Sequence, residues 1–516
     1  MKTTMMGHRL ATLITLFSLG AAVPTFAAQI NVPADQPTIQ AGINAAVNGD
    51  TVLVAPGTYN ESITIASKDI VVVSSGGPNV TFIDAHRTNR VVTLTGSMGR
   101  STRVDGFTIR NGNGGVLVNG PSATIANNII TTNAGLSGIG VDVEFCSALI
   151  VSNTITRNYN NGGSGGIGGG IYVGGAAAAE IVHNVINNNA NGGIALFAAG
   201  TPIVRENVIS GNTNSSGYAW AGIYLANYAD ALIINNVIFK NRGTGIESGV
   251  PSGNRGPYII NNTIVDNQGN GIVSSGYEAA SVIANNISAT YSNFYAIYIG
   301  PFNTPNQPIL KNNDFYAPVG TNFGGLAPNQ IGTNGNISVD PSFISTAGAN
   351  YHLGSTSPCI NSGESGWVPL SITNDLDMLP RKVGSVDMGA YEIQNPGSII
   401  SYAWLQAHGL PLNGSVDFAD PDADGMNNWQ EWRCDSDPSN PASVLKVISV
   451  SRASGTNTVT WQSVNTRAYY LQRATNLALA TAFSTVATNI AGQAGTTTFK
   501  DTVSGTGPFF YRVFVP

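Results

Sequence analysis

Asn236-Val237-Ile238-Phe239-Lys240-Asn241, then Gly245-Ile246, is followed 26 residues later by Asn262-Thr263-Ile264-Val265-Asp266-Asn267 and Gly271-Ile272. The same frame runs upstream. Its first Asn recurs at Asn128, Asn153, Asn184 and Asn207, with a second Asn five residues on at Asn133, Asn158, Asn189 and Asn212. Asn286 and Asn313 continue the first series without the second. The Gly step recurs at Gly115-Val116, Gly140-Val141, Gly170-Ile171, Gly193-Ile194 and Gly222-Ile223, and Ala296-Ile297 extends it. Spacings run from 23 to 31 residues. A period this long, rich in β-branched residues and without helical patterning, predicts a solenoid of short strands. Each coil needs three strands and three bends. Asn and Gly tolerate left-handed backbone at bends, and stacked Asn side chains can hydrogen-bond from rung to rung. Leu does not hold the repeat positions, which excludes a leucine-rich repeat. Each unit is too short for the four strands of a propeller blade.

Composition agrees. Of 516 residues only 10% are charged, against about 25% in a typical soluble domain. Yet 42% are hydrophobic, so the chain is not disordered by composition. A net charge of −6 argues against nucleic-acid binding. Residues 1–28 read as a secretory signal peptide: a weakly positive start, an apolar run from Leu10 to Ala22, and a small-residue cleavage site at Ala27 or Ala28. No later segment is long and apolar enough for a membrane span, so an exported chain is expected. Cys146, Cys359 and Cys434 form an odd set. One disulfide, such as Cys359 with Cys434, and three buried free thiols are both open.

These features resemble the right-handed parallel β-helix proteins of the pectate-lyase-like superfamily. The resemblance rests on the repeat and on two opening stretches. These are Thr38-Ile39-Gln40-Ala41-Gly42-Ile43 and Gly49-Asp50-Thr51-Val52-Leu53-Val54-Ala55-Pro56-Gly57-Thr58-Tyr59. It implies an all-β solenoid over residues 29–397 whose first coil is covered by a short helix. That superfamily includes lyases, hydrolases, esterases, adhesins and non-enzymes, so the resemblance is specific for fold and not for activity. Asp340-Pro341-Ser342-Phe343, Ser357-Pro358-Cys359-Ile360-Asn361 and Val386-Asp387-Met388-Gly389-Ala390-Tyr391-Glu392 resemble the carboxy-terminal part of bacterial surface β-helix proteins. We read them as a closing cap with structural acids.

Residues 398–443 carry the sharpest motif. Asp420-Pro421-Asp422-Ala423-Asp424-Gly425, then five residues and Glu431, has calcium-loop spacing. Calcium takes six to eight hard oxygens, which acids at alternate loop positions can supply. By resemblance to EF-hand, dockerin and thrombospondin-type repeats, the ligands would be Asp420, Asp422, Asp424, the Met426 carbonyl, Asn428 and Glu431. Asn427 stands where those loops carry an apolar residue. Residues 444–516 alternate as strands and resemble immunoglobulin- or fibronectin-like sandwiches, with Trp461 in the core.

For function, the strands after the Gly step are decisive. Alternation puts Val116, Val141, Ile171, Ile194, Ile223, Ile246, Ile272 and Ile297 inward. The residues that follow them then face out, including Asp142, Tyr172, Tyr224, Glu247 and Tyr298. Glu144 and Phe197 face out one pleat further on. Tyr218 and Trp220 sit on the bend before Ile223. Aromatics beside acids suit a polysaccharide groove with Tyr172, Tyr224, Tyr298, Tyr218 and Trp220 as binding residues. Tyr also simply suits an exposed strand.

Weak catalytic candidates are Asp142, Glu144, Glu247, Lys240 and Arg242, followed by Arg157 and Arg205. Asp142 and Glu247, four rungs apart, would be separated by about 19 Å. A glycosidase pair needs roughly 5–9.5 Å. Asp142 and Glu144 on one face would be about 6.6 Å apart. A β-eliminating lyase needs a base, for which Lys240 and Arg242 are the candidates. Three functions therefore stand open: a secreted or cell-surface protein that binds polysaccharide, a polysaccharide lyase or glycoside hydrolase using the same groove, and a structural envelope or adhesion protein.

Overall fold

A computed structural model describes residues 27–161, 166–197, 200–213, 220–226, 229–250, 256–276, 281–302, 307–478, 483–503 and 505–516. The leader expected over 1–28 therefore lies almost wholly outside the described residues. From Gln29 onward the chain visits three parallel sheets in turn. Sheet A has 12 strands, from Gln29–Val32 to Ile309–Lys311. Sheet B has 11, from Gly57–Tyr59 to Asp314–Tyr316, and sheet C has 11, from Ile63–Ala66 to Thr321–Gly325. Each strand pairs with its counterpart one coil away. Ile233, Ile238 and Ile246 meet inside one coil and stack on Ile259, Ile264 and Ile272 of the next. All six are fully buried, so each coil completes the apolar core of its neighbours.

The Asn series forms two buried ladders at the A–B and B–C bends. Asn236 is typical. Its Oδ1 accepts from the Asn207 backbone N–H and from Asn207 Nδ2, each at 3.0 Å. Its Nδ2 donates to the Val204 and Ile234 carbonyls and to Asn262 Oδ1. The backbone at the bends departs from expectation. The left-handed residue is the one before each ladder Asn, as at Glu206 (φ 57°), Asn235 (φ 56°) and Lys240 (φ 51°). The ladder Asn is kept for its amide, which can donate and accept at once. The repeating Gly is likewise not there for left-handed backbone. A Cβ on Gly140 would lie 2.4 Å from the Gly170 carbonyl oxygen and 2.6 Å from Ile155 Cγ2. Close coil packing is what excludes a side chain.

Helix α1 (Ile39–Ala45) covers the first coil, as expected. Thr38 accepts from the Ala41 N–H, and the Glu61 carboxylate takes the N–H groups of Ile39 and Gln40, each at 2.9 Å. These satisfy donors that a helix start leaves free. Lys68 Nζ donates to the carbonyls of Ile43, Asn44 and Ala46 at the other end.

The segment around 340–393, expected as a closing cap, runs instead along the flank. Phe323, Ala327 and Ile331 pack on the end of the main core. The chain then returns over the outside of sheet B, where Tyr351, Leu353, Cys359 and Ile360 join Val237, Val265, Ile287 and Ala289 in a second core. Side-chain amides on successive A–B bends hold this strap: Asn235 on the Asn374 carbonyl, Asn261 on Asp387, Asn285 on Glu364 and Asn312 on Ser362. The strap's acids are structural, as the sequence suggested. Buried Arg381 donates to the carbonyls of Asp387 and Gly389 and lies 3.7 Å from the Glu392 carboxylate. Both oxygens of Asp387 accept backbone N–H groups. All three cysteines are free.

Helix α2 (Tyr402–Ala407) continues the second core through Tyr402, Trp404 and Leu405, with Trp429 and Trp432 against it. The 398–443 segment is thus packed onto the solenoid. Residues from Val447 onward form two three-stranded antiparallel sheets around Trp461, Tyr469 and Leu471, with Trp461 fully buried as expected.

Candidate functional site

The strand register on sheet C brings the expected residues into one column on the outer side of the sheet, although Ala195 within it is fully buried, with Gly168 packed close over it. Leu117, Asp142, Tyr172, Ala195, Tyr224, Glu247, Val273 and Tyr298 are successive partners. Glu144, Gly174, Phe197, Ala226 and Gly249 form part of a second column two residues further along the strands. Early strands of this sheet are four residues long, whereas Trp220–Ala226, Thr244–Val250 and Tyr295–Phe302 have 7, 7 and 8. The face therefore broadens around Tyr224, Glu247 and Tyr298. Tyr295 adds a ring 5.3 Å from that of Tyr298, which sequence reasoning missed. It seats on Gly324, where a Cβ would lie 2.3 Å from the ring. Tyr218 lies outside the described residues, as does the side chain of Trp220.

The three acids are not equivalent. Asp142 is bound by Arg90, whose Nη2 lies 3.1 Å from its Oδ2. The same guanidinium donates to the Val116 and Gly138 carbonyls. Gly138 belongs to the bend that folds over Asp142, where a Cβ would come within 2.7 Å of the aspartate side chain. Burial raises the Asp142 carboxyl and lowers Arg90, and the pair partly offsets both shifts. Arg90 was not a sequence candidate, because nothing periodic links two residues 52 positions apart.

Glu144 is raised by burial and then by the charge of Asp142. Glu247 is raised by burial alone, and among the described residues it has no hydrogen-bond or ion-pair partner in this face. Asp142 and Glu247 stand four strands apart, as expected.

The basic candidates do not join them. Lys240 and Arg157 occupy left-handed positions on the B–C bends. Arg242 forms a backbone bridge with Thr213 and is exposed. Arg205 ends a sheet A strand and pairs with Glu206, as does His183. Among the described residues none of these cations pairs with Asp142, Glu144 or Glu247.

The 420–431 loop is a second site. Oxygens of Asp420, Asp422 and Asp424 lie within 4.8 Å of one another. Each carboxylate uses one oxygen to fix the loop. Asp420 accepts from Gly425 N, Asp422 from Asp424 N and Asp424 from Met426 N. Gly425 turns the loop at φ 95°. Asn427 caps helix α3 (Asn428–Cys434) and forms a reciprocal capping box with Gln430, which accounts for the polar residue there. Asn428 Nδ2 donates to the Val416 carbonyl. Five further oxygens are buried without a hydrogen-bond donor: Asp422 Oδ2, Asp424 Oδ2, Asn428 Oδ1 and both of Glu431. Burial, then Asp422, Asp424 and Asp420, push the Glu431 carboxyl up to about 7. So many orphaned acceptors around one point is costly unless a cation meets them.

A family model described as "Right handed beta helix region" matches residues 164–287. The solenoid is a right-handed parallel β-helix. Among solved structures, the pectate lyase Pel9A is similar at 15% identity and a TM-score of 0.46, covering 71% of this chain and 97% of that one. The PL6 family alginate lyase AlyGC is similar at 14% identity and a TM-score of 0.34, covering 68% of this chain and 60% of that one. No curated protein matches the chain. Among the described residues no helix is long and apolar enough to cross a membrane.

Proposed function

We propose that this is a secreted β-helix protein that binds polysaccharide along the outward face of sheet C without turning it over. The observation that carries the reading is the broadened column of Tyr224, Glu247 and Tyr298, bordered by the small residues Ala226 and Gly249. Sugar rings stack on aromatic faces, and a half-buried carboxylate accepts hydroxyl hydrogen bonds. Turnover is disfavoured because Asp142 is held by Arg90 and, among the described residues, no cation pairs with Glu247. Two measurements on a glycan panel test this: retention in glycan-containing gels, and release of reducing or unsaturated sugar. Retention that falls in Tyr224→Ala, without sugar release, is expected. Sugar release lost in Glu144→Gln or Glu247→Gln would instead establish an enzyme.

We further propose that the 420–431 loop holds calcium through Asp420, Asp422, Asp424, the Met426 carbonyl, Asn428 and Glu431. Its role is structural. Helix α3 carries the ligand Glu431, packs Trp429 and Trp432 on the second core, and ends at Asp435, which bonds Thr466 of the C-terminal sandwich. An ion there would brace the junction. Absence of a calcium-dependent shift in thermal unfolding would refute it.

A further inference from the structure

Resting on the polysaccharide-binding reading above, we infer that the sheet C face selects uncharged glycans and rejects polyuronates. The argument is one of charge placement. Along the two outward columns, from Thr64 to Tyr298, the described residues include Asp142, Glu144 and Glu247 but no Lys, Arg or His. Arg90 reaches the face from its edge, and it is already bonded to Asp142 and two carbonyls. Among the described residues two carboxylates, Glu144 and Glu247, therefore remain without a paired cation. Both are partly buried, and burial already disfavours their charged form. A chain with one carboxylate per sugar, laid along the column, would bring further negative charge into partly desolvated surroundings.

An uncharged pyranose suits the same groups. Adjacent hydroxyls can donate to the two oxygens of one carboxylate. The sugar's C–H face covers a tyrosine ring. Tyr172 and Tyr224 are two strands apart, about 9.6 Å, and Tyr224 and Tyr298 three strands apart, about 14 Å. An extended glycan parallel to the solenoid axis advances by roughly one sugar per rung of about 4.8 Å. It would meet rings at intervals, with Glu247 between two of them.

The test compares polygalacturonate with its carboxyl-reduced form, which keeps linkage and stereochemistry and loses the charge. Xylan, galactomannan and chitosan complete the panel, with the full mature chain in one calcium-containing buffer. The expected result is binding of uncharged chains at least about tenfold tighter than the matched uronate. The Glu144→Gln and Glu247→Gln double variant should narrow that ratio. Equal or tighter binding of polygalacturonate would overturn the inference while leaving the binding reading intact, as would a preference for chitosan. Retention of nothing in the panel would overturn the binding reading and this inference with it.

Discussion

Removing calcium should reverse the pH dependence of the 420–431 segment. Without an ion, Glu431 is fully buried, faces three aspartates, and has its carboxyl raised from 4.5 to about 7. An acid with a raised folded-state pKa holds its proton more tightly when folded. Between pH 4.5 and 7 the metal-free folded form binds more protons than the unfolded chain, so its stability falls as pH rises. The gap corresponds to about 3 kcal/mol, and to somewhat less where solvent reaches the loop. With calcium the carboxylates are neutralised as they ionise. An ion present at 100 times its dissociation constant adds about 2.7 kcal/mol. The calcium-dependent difference should therefore be small near pH 5 and rise to about 2.7 kcal/mol at pH 8 when calcium stands at 100 times its dissociation constant at that pH. Fluorescence of Trp429 and Trp432, which lie on α3 itself, reads this segment during denaturant unfolding. Glu431→Gln removes the ionisation cost. It should make the metal-free protein more stable at pH 8 while weakening the calcium response. A metal-free protein that gained stability from pH 5 to 8, or identical midpoints with and without calcium at pH 8, would refute the reasoning.

Substitutions at three packed positions give further outcomes. Asn236→Ala removes five hydrogen bonds and strands the Asn207 donors. It should cost about 3–5 kcal/mol, visible as faster amide exchange first in the adjoining coils. Asn236→Asp should cost more at neutral pH, because its carboxylate would face the Val204 and Ile234 carbonyls. Gly222→Ala would set a Cβ 2.1 Å from the Gly245 carbonyl oxygen and 2.8 Å from Ile238 Cγ2. It should lower the thermal midpoint far more than Gly249→Ala, whose nearest neighbour would be 3.7 Å away. Arg381→Ala leaves Glu392 buried without its cation. A loss of about 3–5 kcal/mol in chemical denaturation is expected.

Local chemistry explains which features were legible. Helix α1 could be read because Thr38 and the apolar pair Ile39 and Ile43 are a short-range pattern. The acidic loop at 420–431 could be read because its acids alternate within one turn of chain. The bends were legible as bends, yet the role of Asn was misplaced by one residue. Backbone conformation and ladder bonding are divided between neighbours, as at Asn235 and Asn236. The strap was read as an end cap, although the paired Asn at 235–236, 261–262, 285–286 and 312–313 marks its path. The first Asn of each pair is free to hold the strap because the second is committed to the ladder.

The coil itself was determined by sequence alone. Each inward Ile, ladder Asn and close-packed Gly contacts its own counterpart one repeat away, so the contact that selects the residue also prints the period. The state of each acid on the outward face was decided only in three dimensions. Asp142 is held because Arg90 reaches it across two coils, and Glu247 has no ion-pair partner among the described residues. Such pairings depend on where side chains meet between coils, and no repeat in the sequence records them.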